Sequence, residues 1–135
     1  MSDQKTDRSE PTKEVDALAN ALIGAAIEVH RILGPGLLES VYEEAMCVEL
    51  QLRGIPFVRQ SPIALDYKGH PVGKGQLDLL ISSNVIVELK AVDSLADVHM
   101  AQVLSYLRIT GLALALLINF NVALLKDGIK RVVLS

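Results

Sequence analysis

The first third of the chain shows two runs of apolar residues at helical spacing. After a polar stretch over residues 1–11, Thr12 can cap a helix that ends at Gly34-Pro35-Gly36. Its apolar positions are Val15, Leu18, Ala19, Leu22, Ala26 and either Val29 or Ile32. A second helix is predicted from about Leu38 to Arg53, before Gly54. Its apolar positions are Leu38, Val41, Ala45, Val48, Leu50 and Leu52.

The middle of the chain has the composition of β-strands. Two long strands are predicted between Phe57 and Ile81, joined by the turn Lys68-Gly69-His70. A third strand, Val85–Lys90, follows the polar turn Ser82-Ser83-Asn84. Consecutive strands with such short turns predict a three-strand antiparallel meander.

The last third returns to a helix and then to a strongly apolar run. A helix is predicted from about Ala96 to Thr110, with Gly111 as its C-cap. The run Leu112–Ile118 is apolar on both faces, as in a strand covered by helices on both sides. Strand, helix and strand in this order predict a right-handed parallel crossover. A short edge strand, Ile129–Leu134, ends an α/β fold with a mixed sheet flanked by helices.

Composition limits the class of protein. The 135 residues fit a single domain over residues 12–135 preceded by a disordered tail, and few aromatic residues predict an aliphatic core. A net charge of −3 argues against a strongly basic nucleic-acid binder, although local basic patches are still possible. The single cysteine, Cys47, fits a buried thiol in a reducing compartment. With no apolar leader, and with Leu112–Phe120 too short for a membrane span, we expect a cytoplasmic protein without membrane contact.

Three charged residues stand inside the apolar hairpin: Asp78, Glu88 and Lys90. Strand alternation places Glu88 and Lys90 on the same face. If the turn centres near Ser83, Asp78 lies across from Glu88, with Cβ atoms roughly 4.5–5.5 Å apart. Two carboxylates this close repel each other, and a divalent cation such as Mg²⁺ removes the conflict. The competing interpretation is an ordinary Glu–Lys pair at a strand end.

An Asp followed by Glu-x-Lys on neighbouring strands resembles the signature of the PD-(D/E)XK nuclease superfamily. The stretch Gly36-Leu37-Leu38-Glu39-Ser40-Val41-Tyr42 matches the motif of the GxxExxY protein family, a branch of that superfamily. The resemblance covers the chain from about residue 15 to the C-terminus. Further matches are Gly34-Pro35, Val87-Glu88-Leu89-Lys90-Ala91, His99, Gln102, Tyr106 and Leu117-Ile118-Asn119-Phe120-Asn121.

The resemblance implies a restriction-endonuclease-like core and a metal-dependent nuclease acting on DNA or RNA. Asp78 and Glu88 would bind Mg²⁺ or Mn²⁺, with the backbone carbonyl of Leu89 and the side chain of Glu39 as further ligands. Lys90 would orient the attacking water or stabilise negative charge. Gln102 and Tyr106 resemble a Gln-x-x-x-Tyr motif that positions the lysine or the substrate; alternatively, they satisfy buried backbone groups.

Other interpretations remain open at this point. The superfamily branch usually carries an arginine where this chain has Gln76, which removes a charge suited to phosphate. A catalytically inactive module that binds nucleic acid or a protein partner, possible as a homodimer, is the main alternative. A structural oligomerisation domain is a third. His30, near the end of the first helix, is interpreted as a surface or capping residue rather than a ligand.

Overall fold

The computed structural model describes residues 10–134, so the predicted tail lies outside the described residues except for Glu10 and Pro11. The helices are α1 (Lys13–Leu33), α2 (Glu39–Leu52) and α3 (Asp97–Thr110), with a 3₁₀ turn at Leu125–Gly128. The strands are β1 (Phe57–Tyr67), β2 (His70–Ile81), β3 (Val85–Lys90), β4 (Leu114–Asn119) and β5 (Ile129–Val133). Within the described residues, no helix is long and apolar enough to cross a membrane.

The five strands form one mixed sheet in the order β1-β2-β3-β4-β5. Strands β1, β2 and β3 form the predicted antiparallel meander. Strand β4 lies parallel to β3, with α3 as the connection, and β5 is antiparallel to β4 at the sheet edge. The predicted α/β fold class, a mixed sheet flanked by helices, is confirmed.

Residue chemistry sets the ends of the helices as predicted. The hydroxyl of Thr12 accepts a hydrogen bond from the N–H of Val15 at 3.2 Å and caps α1. Gly34, with φ 69°, ends α1, and Gly111, with φ 76°, ends α3. These left-handed conformations suit glycine because it has no Cβ atom.

Two apolar layers cover the sheet. Helices α1 and α2 pack on one face, against residues such as Leu79 and Val87, and α3 packs on the other face, against Leu77 and Ile86. Every residue of β4 is buried, as a strand covered on both sides requires. Each fully buried leucine stabilises the fold by about 1.5–3 kcal/mol.

Helix α2 is rotated relative to the apolar pattern predicted for it. Its buried residues are Tyr42, Glu43, Met46, Cys47 and Leu50, whereas Leu38, Val41, Val48 and Leu52 are exposed. The helix carries two apolar stripes, and periodicity alone does not tell which one faces the sheet. The ring of Tyr42 stacks on Phe120, and Met46 and Leu50 are buried with it in the core under this rotation. Cys47 is buried, as predicted.

In β1 and β2, the alternation of side chains between the two faces of the sheet is interrupted at one point. Leu77 packs on the α3 side and Leu79 on the α1–α2 side, although strict alternation would put both on one face. The irregularity lies at Asp78 and at Gln60, its neighbour on β1, which has φ 53°. Beyond it, residues 61–77 continue as a two-stranded β1–β2 arm.

Candidate metal centre

Asp78 and Glu88 face each other across β2 and β3. Leu79 pairs with Val87, so the next position along the two strands brings Asp78 opposite Glu88, as the turn symmetry predicts. The N–H of Asp78 donates a hydrogen bond to Oε2 of Glu88 at 2.8 Å. The N–H of Leu89 donates to Oδ2 of Asp78, also at 2.8 Å. The two carboxylates therefore take the place of backbone carbonyls in the hydrogen-bonding ladder.

Burial makes this pair electrostatically costly. Glu88 is only 4% exposed, and burial, followed by the charge of Asp78, raises its pKa to about 8. Burial also raises the pKa of Asp78, while the hydrogen bond from the Leu89 N–H acts in the opposite direction. Two desolvated carboxylates at facing strand positions hold their charges more easily beside a cation.

Glu39 is the first residue of α2, and its side chain reaches the same region. Partial burial raises the pKa of Glu39, and the charge of Asp78 adds to this rise. The positive charge of Lys90 lowers the pKa of Glu39, of Asp78 and of Glu88. These mutual effects indicate that the four residues lie within range of one another's charges, while their joint role in one site stays a prediction.

The end of β3, where Lys90 lies, is held by hydrogen bonds to the chain after β4. The carbonyl of Lys90 accepts from the N–H of Phe120 at 2.9 Å. The Asn119 side chain is 2% exposed and binds both backbone groups of Val92, at 3.0 and 2.9 Å. The loop that follows Lys90 is therefore fixed to β4, which keeps the lysine at a defined place.

Tyr106 and Gln102 lie on α3, one turn apart, and differ in their surroundings. Tyr106 is half-buried, and burial, then the charges of Glu88 and Asp78, raise the pKa of its hydroxyl. Its ring lies over Gly75 on β2. Gln102 is exposed. Tyr106 thus lies within range of the charges of the carboxylate pair, and the roles of Tyr106 and Gln102 both stay predictions.

Sequence reasoning assigned no role to three residues behind this centre. Glu43, one turn after Glu39, is 7% exposed and accepts hydrogen bonds from Arg59 Nε at 2.6 Å and Gln60 Nε2 at 2.9 Å. Its charge raises the pKa of Asp78. The spacing of Glu39 and Glu43 on one helix face was the available signal for Glu43. Arg59 and Gln60 carried no such signal.

His30 and His99 take structural roles. His30 is buried, and its Nε2 donates a hydrogen bond to the carbonyl of Val122 at 2.8 Å. Its interpretation as a surface or capping residue is therefore wrong; the side chain turns inward because its ring lies beside Phe120. Nδ1 of His99 accepts the N–H of Ala96 at 2.9 Å and caps α3.

The donor set suits a hard divalent cation. The backbone hydrogen bonds engage one oxygen of Asp78 and one of Glu88, and each carboxylate keeps a second oxygen. Across residues 10–134, no group of three or more Asp, Glu, His or Cys side chains is arranged to hold a metal ion. Mg²⁺ typically takes one or two carboxylates and completes its shell with water and phosphate oxygens. The pair fits that pattern, and the ligand roles of Glu39 and of the Leu89 carbonyl stay predictions.

Comparison with known proteins agrees with the geometry. No curated protein matches the chain. A family model described as the PD-(D/E)XK nuclease superfamily matches residues 16–132, which contain both carboxylates of the pair and Lys90. The resemblance to the superfamily is confirmed, while membership of the GxxExxY branch stays a prediction. Because the match covers most of the sequence and the fold agrees with it, the chain belongs to the PD-(D/E)XK nuclease superfamily.

Proposed function

We propose that this protein is a metal-dependent nuclease that hydrolyses phosphodiester bonds in DNA or RNA. The observation that carries the proposal is the pair of half-buried Asp78 and buried Glu88, joined by two reciprocal backbone hydrogen bonds of 2.8 Å. Placing two carboxylates here costs stability because both are desolvated, and that cost is explained if the pair binds a cation.

Asp78 and Glu88 would hold Mg²⁺ or Mn²⁺, with the Leu89 carbonyl and Glu39 as the further ligands. The ion would supply polarisation of the phosphoryl oxygen and a lower pKa for an attacking water. The hydrogen bonds from the Asp78 and Leu89 N–H groups fix how the two carboxylates are oriented. The protein thus provides a rigid pair of oxygen ligands before any ion arrives.

Lys90 provides the positive charge for the reaction. It follows Glu88 by two residues at the end of β3, and its charge already acts on all three carboxylates. Its ammonium donates hydrogen bonds to the attacking water or to a phosphate oxygen. Such a donor stabilises the negative charge that develops in the transition state.

Tyr106 and Gln102 would position the lysine or the substrate. The raised pKa of Tyr106 keeps its hydroxyl protonated at neutral pH, so this group can donate a hydrogen bond beside the carboxylates. Gln102, exposed one turn earlier on α3, would contact substrate outside the carboxylate pair.

The second candidate function is a non-catalytic module that binds nucleic acid or a protein partner. Two observations favour it: Gln76 is exposed and uncharged just before Asp78, and apolar residues are exposed on α2. Those residues, Val41, Val48 and Leu52, would suit a homodimer or another protein.

A cleavage assay tests the proposal. Labelled single- and double-stranded DNA and RNA are incubated with the protein in Mg²⁺, Mn²⁺ or a chelator. We expect cleavage that requires the metal and falls by at least about 100-fold in Asp78→Asn, with Asp93→Asn, an exposed loop acid, as the matched control. Salt-dependent binding without cleavage of any substrate would instead favour the non-catalytic module.

A further inference from the structure

Gln60 occupies the position on β1 that faces Asp78. Arg59 pairs with Leu79 and Ser61 pairs with Leu77, so the register of the two strands is the same immediately before and after this position. Gln60 itself has φ 53°, in the left-handed region that residues other than glycine adopt infrequently. Such a conformation persists where surrounding contacts stabilise it.

The side chain of Gln60 makes those contacts. Its Nε2 donates a hydrogen bond to Oε1 of Glu43 at 2.9 Å. The same side chain stands opposite Asp78 in the register of β1 and β2, and it acts to lower the pKa of that carboxyl. A side-chain amide nitrogen carries two N–H donors, so it can serve both carboxylates at once.

Glu43 is itself fixed from the other side. Nε of Arg59 donates to Oε2 of Glu43 at 2.6 Å, and Nη1 of Arg59 donates to Oε1 of Glu44 at 2.8 Å. Since Glu43 is 7% exposed and lies on α2, it is a rigid anchor for the Gln60 amide. The hydrogen bonds therefore connect Arg59 through Glu43 to Gln60, which occupies the β1 position facing Asp78.

We propose that Gln60 is a positioning residue that bridges Glu43 and Asp78 and sets the orientation of the Asp78 carboxylate toward its metal ion. This inference rests on the proposed function. The amide suits the task because it is neutral: it separates two carboxylates that would otherwise repel each other. A lysine or arginine at this position would also separate them, but its charge would compete with the metal ion for Asp78.

The test compares Mn²⁺ binding by calorimetry in the wild type, Asp78→Asn and Gln60→Met. Methionine has nearly the length of glutamine and no N–H donor. We expect Gln60→Met to weaken Mn²⁺ binding by about 10- to 100-fold, the usual effect of losing a partner of a metal ligand. Gln51→Met, an exposed glutamine at the end of α2, is the matched control.

Thermal unfolding of the metal-free variants separates positioning from a merely structural role. Positioning predicts a large change in Mn²⁺ affinity with little change in the midpoint of unfolding. A lower midpoint with unchanged Mn²⁺ affinity would overturn the inference and leave the proposed metal site intact.

An NMR measurement on the metal-free protein tests the bridge without any ion. We expect the side-chain amide signals of Gln60 to move in Asp78→Asn and in Glu43→Gln, while those of Gln51 stay in place. Signals of Gln60 that do not respond would overturn the bridge. If the wild type binds no Mn²⁺, the proposed function fails and the metal-positioning role fails with it, whereas the bridge is judged by the NMR result alone.

Discussion

Tyr42 stacks on Phe120 with ring centroids 4.6 Å apart and ring planes only 7° from parallel. The Tyr42 hydroxyl donates to the carbonyl of Gly34 at 2.5 Å and accepts the N–H of Leu37 at 3.1 Å. Phe120 in turn donates its N–H to the carbonyl of Lys90. One series of contacts therefore connects the loop before Glu39 with the strand end that carries Lys90.

Replacing Tyr42 with phenylalanine keeps the stacked ring and removes the hydroxyl. The Gly34 carbonyl and the Leu37 N–H then lose a partner, so we expect the free energy of unfolding to fall by about 1–3 kcal/mol. Urea denaturation measures the change. Tyr67→Phe, on a side chain that is 62% exposed, should leave stability almost unaltered. Equal effects of the two substitutions would contradict the role given to the Tyr42 hydroxyl.

Two glycines of β2 offer a matched pair of alanine substitutions. A Cβ atom on Gly75 would lie 3.1 Å from Cγ1 of Ile63 and 3.3 Å from Cε1 of Tyr106, whereas one on Gly73 would lie 3.7 Å from Leu65. Gly75→Ala should therefore displace the Tyr106 ring, and Gly73→Ala should be tolerated.

If Tyr106 positions the substrate or Lys90, Gly75→Ala should lower the rate of cleavage by about 10-fold or more with little change in Mn²⁺ affinity. Gly73→Ala should cleave at the wild-type rate. A Gly75→Ala variant with full activity would show that the position of the Tyr106 ring is unimportant for the reaction.

The raised pKa of Glu88 makes stability depend on pH. In the metal-free protein Glu88 titrates near pH 8, against an ordinary value of 4.5, so the folded state binds more protons than the unfolded state between these values. The contribution of Glu88 to the free energy of unfolding is therefore largest below pH 4.5 and is lost as pH rises toward 8. The loss is at most about 5 kcal/mol.

Denaturant unfolding at pH 5 and at pH 8 should show this loss in the wild type and a smaller loss in Glu88→Gln. Saturating Mn²⁺ should restore stability at pH 8 in the wild type, because the ion binds the ionised pair. Glu14→Gln, on an exposed glutamate of α1, should behave as the wild type does. Identical pH profiles for wild type and Glu88→Gln would refute the assignment.

Removing Lys90 should separate binding from catalysis. Lys90→Met takes away a positive charge that acts on Asp78 and Glu88, so Mn²⁺ affinity should stay the same or increase. Cleavage should fall by about 100-fold or more because the transition-state charge loses its partner. Lys74→Met, on the exposed β1–β2 arm, is the control for a general loss of charge. Weaker Mn²⁺ binding in Lys90→Met would argue against this assignment.

The register of the central hairpin could be predicted because its turn is symmetric. Ser82 and Ser83 both adopt positive φ angles, of 50° and 59°, in the turn, and counting outward from Ser83 brings Asp78 opposite Glu88. The long apolar run that contains β4 was equally informative, since every residue of that strand had to be buried. The residue types within each segment were sufficient to predict the register of the hairpin and the burial of β4.

The surroundings of Asp78 could not be predicted because they depend on tertiary contacts. Nothing in the sequence indicates that Gln60 adopts a left-handed conformation. Its amide can bridge Glu43 and Asp78 only after α2, β1 and β2 have packed together. The rotation of α2 is a similar case. The helix has two apolar stripes: one contains Val41, Val48 and Leu52, and the other contains Tyr42, Met46 and Leu50. The stripe that contains Tyr42 is the one that faces the core, where Tyr42 stacks on Phe120.

The β1–β2 arm has a consequence for local opening of the chain. Strand β2 pairs with β3 only from Leu79 to Ile81, so within the described residues the arm has one inter-strand ladder instead of two. Its amide protons should exchange with solvent through local opening, at lower free energy than those of β3 and β4. Asp78 lies at the boundary between the two, so the arm can open locally while the strand pairing that holds Glu88 stays intact.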